Sequence, residues 1–260
     1  MACSYQYIVF FKSPHNRVDN WQLGVIQRGT HIQHSLPWHD GLIISMGFLR
    51  NNQIYMFTER EFSIYSIAEQ RKVNSRILRH GNNEDYEYVH SSTDCHRGIG
   101  TVDEKCWYHI YFNRSSNWIL SKNNLQQLTH ISDTDLTRFY PDVLRFIHLC
   151  VHDKHIYFLV ENTDHSYAVI AYPPRDSLSP IVLLRAQRPL TIFAGYSKSL
   201  DSHLLFVNDP SANILHIIAD EIYLKAYPFT AYAICYLEEK NELLLATDQS
   251  ICSINLNKLD

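Results

Sequence analysis

Short apolar runs separated by polar turns recur along most of this chain. Residues 231 to 256 show the pattern most plainly: an apolar run from Ala231 to Leu237, a Glu-Glu-Lys-Asn turn, a second run ending in Ala246-Thr247, another turn, and a third run from Ser250 to Leu256. Each run is only a few residues long, rich in β-formers and bounded by turn-forming residues, which predicts antiparallel strands joined by hairpins. Residues 42 to 67 repeat the arrangement with Ile43 to Leu49, Ile54 to Thr58 and Phe62 to Ile67. Thr58 aligns with Thr247, and from there Phe62, Ser63, Tyr65 and Ile67 face Ile251, Cys252, Ile254 and Leu256 without a gap.

Further copies follow from this template. One begins at Arg145 and adds Ile181 to Leu184 as a fourth strand. Another runs from Thr191 through Leu204, Ile214 and Ile222, and a looser one occupies residues 98 to 131, with Trp107 to Phe112 and Trp118 to Leu120 as its middle strands and Leu125 to Ile131 as its fourth. First strands thus start near residues 42, 98, 145, 191 and 231, a spacing of roughly 40 to 56 residues that fits four-stranded propeller blades and exceeds the period of common helical or leucine-rich solenoids. The N-terminal runs at Tyr7, Gln22 and Thr30 align with second, third and fourth strands, so that segment is read as lacking a first strand. The last unit stops after its third.

The repeated unit, with residues 42 to 67 as its best example, resembles a β-propeller blade. The resemblance covers almost the whole chain but carries no WD, kelch or NHL signature, so it implies a fold and no subfamily. It implies an all-β protein: one domain over residues 1–260, a ring of four-stranded antiparallel blades, six in preference to five, with the N- and C-terminal segments meeting at the closing seam. Two stretches stand outside the blade pattern. Residues 79 to 97 form a long polar connection, and Ser132 to Val143 could hold a single helical turn capped by Ser132 or Asp133 and stopped by Pro141.

Composition agrees with strands. Aromatic residues make up 13% of the chain, with 17 Tyr and 12 Phe, side chains that suit pleated, half-buried surfaces. The net charge of −4 comes without a cluster of Lys and Arg large enough to neutralise several phosphates, which argues against nucleic acid as a partner. Six cysteines with no Cys-x-x-Cys spacing read as reduced thiols. The opening residues lack the basic and apolar regions of a signal peptide, and no apolar run approaches the ~18 residues of a membrane span. These features lead to the expectation of a cytoplasmic, membrane-free monomer.

Chemistry is sparse. Nucleophile elbows, glycine-rich phosphate loops and His-Glu-x-x-His patterns are absent, so neither a catalytic residue nor a cofactor is assigned. Among the 15 histidines, His31, His34 and His39 crowd together, but i and i+3 point to opposite faces of a strand. His148, Cys150 and His152 do alternate on one face and are the candidate metal ligands, against the ordinary reading of packing residues in a buried strand. Acids near hairpins (Asp103, Glu104, Glu161, Asp164, Asp209 and Asp248) fit turn chemistry better than calcium binding. The four tryptophans, Trp21, Trp38, Trp107 and Trp118, are assigned to packing between blades. Tyr86 and Tyr88, flanked by Glu84, Asp85 and Glu87 in the long polar connection, are the candidate partner-binding residues. The function expected is a non-catalytic scaffold that binds a protein or peptide across one face. A divergent metal-dependent hydrolase or lyase with a central metal is the alternative, and a glycan binder would need repeated aromatic and acidic pockets that do not occur.

Overall fold

In the computed structural model, residues 2–4, 6–12, 22–30, 33–38, 42–49, 52–58, 61–78, 99–103, 105–113, 115–153, 155–172, 181–229, 231, 233–247 and 250–258 are described. Six antiparallel sheets follow one another along the chain. Blade 1 holds β1 (Ala2–Cys3), β2 (Tyr7–Lys12), β3 (Gln22–Gln27) and β4 (Gln33–Pro37); blade 2 holds β5 (Ser45–Phe48), β6 (Gln53–Phe57), β7 (Glu61–Ser66) and β8 (Arg71–Ile77). Blade 3 holds β9 (Ile99–Val102), β10 (Cys106–Phe112), β11 (Trp118–Asn124) and β12 (His130–Asp135); blade 4 holds β13 (Val143–His152), β14 (His155–Asn162), β15 (Tyr167–Ala171) and β16 (Ile181–Ala186). Blade 5 holds β17 (Thr191–Ser197), β18 (Ser202–Asp209), β19 (Ile214–Ala219) and β20 (Ile222–Tyr227), and blade 6 has three strands, β21 (Ala233–Leu237), β22 (Glu242–Ala246) and β23 (Ile251–Asn255). Among the described residues no helix is long and apolar enough to cross a membrane.

The ring closes through its first strands. Each of β1, β5, β9, β13, β17 and β21 lies beside the first strand of the next blade, and β21 returns to β1. Apolar side chains fill every joint: Trp38 with Leu23 and Met56 between blades 1 and 2, Trp107 with Phe57 and Phe62 between 2 and 3, and Trp118 with Phe146 and Phe158 between 3 and 4. Leu159 with Val207 and Phe206 with Tyr236 continue the series, and Ile8 with Leu237 and Leu244 closes it. The three described tryptophans therefore pack between blades as expected. Trp107 stacks on Phe62 with ring centroids 4.8 Å apart. Close approach of blades needs small residues at two inner-strand positions. A Cβ on Gly100 would lie 2.4 Å from the Phe57 ring of the preceding blade, and one on Gly195 2.5 Å from the Tyr236 ring of the following blade.

The aligned threonines make the same turn. Thr58 N–H donates to Glu61 O at 2.9 Å while Thr58 Oγ1 accepts from Glu61 N at 3.1 Å; Thr247 repeats both bonds with Ser250 at 2.8 and 3.0 Å. Acids near hairpins do the same work. Asp103, Asp164 and Asp209 accept backbone N–H groups two or three residues ahead, whereas Glu104 and Asp248 lie outside the described residues.

Three expectations need correction. Blade 1 has its own first strand: β1 pairs Ala2 with Val9 and Cys3 with Ile8, and two residues are too few to show a period. The ends do meet at the seam as expected, through packing and an Arg28–Glu242 ion pair at 3.1 Å. Ser132 and Asp133 are strand residues of β12, so the fourth strand of blade 3 lies later than the expected 125 to 131. The single turn starts only at Leu136, with Asp135 Oδ1 accepting from Thr137 N at 3.0 Å. Finally, Cys235 is disulfide-bonded, while Cys106, Cys150 and Cys252 are free. Linear spacing tests only local pairing, and a ring sets side by side residues that are remote in sequence.

Candidate functional site

Because neighbouring strands are antiparallel, the first-to-second and third-to-fourth hairpins of every blade open on one face of the disc, and the remaining connections open on the other. On the first of these faces the inner hairpins of blades 4, 5 and 6 bring together His152, His155, Tyr196, His203 and Glu238. The positions are equivalent: His152 pairs with His155 across β13 and β14, and Tyr196 with His203 across β17 and β18. Glu238 follows directly on β21.

The polar contacts form a chain. His152 Nε2 lies 2.6 Å from Glu238 Oε1, and His152 Nδ1 lies 3.2 Å from His203 Nδ1. The two ring nitrogens of His152 thus face the Glu238 carboxylate on one side and the His203 ring on the other, and the tautomer sets which imidazole donates to which. Glu238 Oε1 also accepts the Tyr196 N–H at 3.1 Å, tying blade 5 to blade 6. The Tyr196 ring stacks on His152, and its hydroxyl donates to the Asp201 carboxylate, which raises the phenol's pKa. The His155 ring centroid lies 3.9 Å from that of His203. Burial lowers the pKa of His203, and the neighbouring His155 and His152 lower it further. Burial raises the pKa of Glu238, but the hydrogen bond and charge of His152, the Tyr196 N–H and the Lys198 charge together outweigh it, so its carboxyl sits below the ordinary value.

Asn241 braces the platform from below. In a left-handed conformation (φ 51°), it donates from Nδ2 to Ser199 Oγ at 2.6 Å and to Asn257 Oδ1 at 2.8 Å. Its Oδ1 accepts from the hydroxyls of Ser197 and Tyr236. The hairpins of blades 5 and 6 are thus held by buried hydrogen bonds rather than left to drift.

Of the candidate metal ligands, His148, Cys150 and His152 do share one face of β13, since the register with β14 is unbroken over them. They do different things there. Burial pushes the His148 imidazole down to about 4 and the Cys150 thiol up to about 12. Cys150 Sγ donates to Ile192 O at 3.4 Å within the joint between blades 4 and 5, and His152 enters the polar chain. Among the described residues no group of three or more His, Cys, Asp or Glu is placed to hold a metal ion. His34 is exposed in β4, while His31, His39, Glu84, Asp85, Tyr86 and Tyr88 lie outside the described residues. Sequence reasoning missed His155, Tyr196, His203 and Glu238. The available signal was that His152, His155, Tyr196 and His203 recur at one hairpin position of adjacent repeats.

No protein-family model matches the chain, and no curated protein matches its sequence. Solved structures do. One is a protein of unknown function from Bacteroides caccae, 10% identical, with a TM-score of 0.58 over 96% of this chain and 90% of that one. A second is U3-55K, 11% identical, with a TM-score of 0.54 over 96% and 73%. A third is PorZ of Porphyromonas gingivalis, a component of the type-IX secretion system, 13% identical, with a TM-score of 0.50 over 90% and 34%. At such identities the likeness is one of fold alone: the chain is a six-bladed β-propeller without a family signature in its sequence.

Proposed function

We propose that this propeller is a non-catalytic binding module that takes a protein or peptide partner on the face where the inner hairpins of blades 4 to 6 gather. The observation that carries the reading is the His152–His203–Tyr196–Glu238 cluster, drawn from three blades and braced by Asn241. Rigid aromatic side chains with polar tips give contact area at low entropic cost. The carboxylates of Glu238, of Asp201 beside Tyr196, and of Asp220, which accepts the His203 backbone N–H at 2.9 Å, offer acceptors to a partner segment that supplies donors, such as Arg or Lys. Tyr86 and Tyr88 lie outside the described residues, in the connection between β8 and β9, and are tested separately by mutation. Affinity capture from the source cell, quantified by mass spectrometry, compares wild type with the double variant Tyr196→Ala, His203→Ala and with Tyr86→Ala, Tyr88→Ala. A partner depleted at least tenfold by the first pair is the expected result. No enriched partner, or one sensitive only to the second pair, refutes the proposed face.

A further inference from the structure

Among the described residues blade 6 has three strands, and the third is built unlike the third strands of the other blades. In blades 2, 3 and 4, β7, β11 and β15 are mostly buried and are flanked by a fourth strand. β23 is mostly exposed, with Ile251 40% accessible.

Its backbone pattern is fixed by the hydrogen bonds at its two ends. Thr247 N donates to Ser250 O and Leu256 N to Asn241 O, both at 2.8 Å, and the register between runs from Ala246–Ile251 to Glu242–Asn255 without a shift. Bonded and non-bonded pairs alternate in an antiparallel ladder. Cys252 and Ile254 therefore direct their N–H and C=O groups to β22, and Ile251, Ser253 and Asn255 direct theirs outward. Among the described residues these outward groups have no backbone partner.

The other outermost strands are protected against pairing. β8 carries Arg71, Lys72 and Arg76, β12 carries Asp133 and Asp135, β16 carries Arg185, β20 carries Lys225, and β4 ends in Pro37. Charges and proline on an edge are the usual devices that keep sheets from adding strands. β23 reads Ile-Cys-Ser-Ile-Asn and has neither.

We infer that β23 is a docking edge for one extended peptide segment of a partner protein, which adds antiparallel to it and completes blade 6. The main-chain groups of Ile251, Ser253 and Asn255 supply the hydrogen bonds, in the manner of strand addition. Side-chain chemistry follows from the surroundings. Ile254 packs against the apolar cluster that fills the joint between blades 5 and 6, so the residue placed opposite it is apolar. A single strand fits better than a second copy of this chain. Lacking its outer strand, blade 6 is recessed by one strand spacing, about 4.8 Å, relative to its neighbours, whose rims would meet another folded disc first.

The test is selection of eight-residue peptides from a random displayed library on the wild-type protein, with affinities then measured for two variants. Ser253→Pro removes an outward N–H while sparing the β22 ladder, and Ile251→Lys installs the edge charge found elsewhere on the rim; unchanged melting temperatures verify both folds. Selected peptides are expected to bind wild type, to lose at least tenfold on both variants, and to be indifferent to Tyr196→Ala, His203→Ala. Amide exchange of Ile251, Ser253 and Asn255 is expected to slow at least tenfold on binding, with Cys252 and Ile254 unchanged. Failure to select any peptide that distinguishes wild type from Ser253→Pro overturns the inference. So does protection of the outward amides that rises with protein concentration alone, which would assign the edge to self-association. Neither outcome touches the face site, which the capture experiment tests separately.

Discussion

His148 makes the stability of this protein depend on pH in the window where histidines titrate. Burial holds its imidazole at about 4 in the folded chain against 6.5 when unfolded. The unfolded state therefore binds the proton more tightly, and stability is lost as pH falls below the unfolded value. Between pH 7.5 and pH 5 those two values correspond to a loss of about 2 kcal/mol from this residue, at roughly 1.36 kcal/mol per pKa unit. His203, also lowered, acts in the same direction. The carboxylates held low, Glu161 and Glu238, contribute only below their ordinary value of 4.5, outside the window. Urea unfolding of wild type and His148→Gln at the two pH values isolates the effect: the wild type loses about 2 kcal/mol more than the variant. Parallel losses in the two proteins would refute the claim that His148 is held neutral by its surroundings.

Three further outcomes follow from individual side chains. Glu161 is 5% exposed and accepts from Arg145 Nε at 2.6 Å and His165 Nδ1 at 2.9 Å; Glu161→Gln removes the carboxylate and costs about 2 to 3 kcal/mol in urea unfolding. That stability is present above pH 4.5 and fades as pH falls through the lowered folded value, a fading absent from the variant. Thr58→Ala and Thr247→Ala each lose the same turn, so each costs about 1 kcal/mol and the double variant shows the sum, because the sites lie in different blades. Timed alkylation read by mass spectrometry labels the exposed Cys252 first, Cys106 and Cys150 only on unfolding, and Cys235 only after reduction.

Local chemistry made the blades legible in the sequence. Runs such as Leu204 to Val207 and Tyr167 to Ala171 need only a pleated strand to hide their side chains, and turn residues such as Thr58 and Thr247 act within three positions of themselves. Strand identity, repeat length, six blades and the missing outer strand of the last unit were therefore readable. Two-residue β1 was not, since it is held by its pairing with Val9 and Ile8 rather than by any pattern of its own. Only the ring decided which distant residues meet. His152, His203 and Glu238 share no sequence signal beyond their place in successive repeats, and they touch because three blades turn their inner hairpins toward one face. The contrast between β23 and its charged or proline-bearing counterparts was present in the letters all along. Its meaning depended on knowing that β23 is outermost in its blade, a property set by strand order and not by composition.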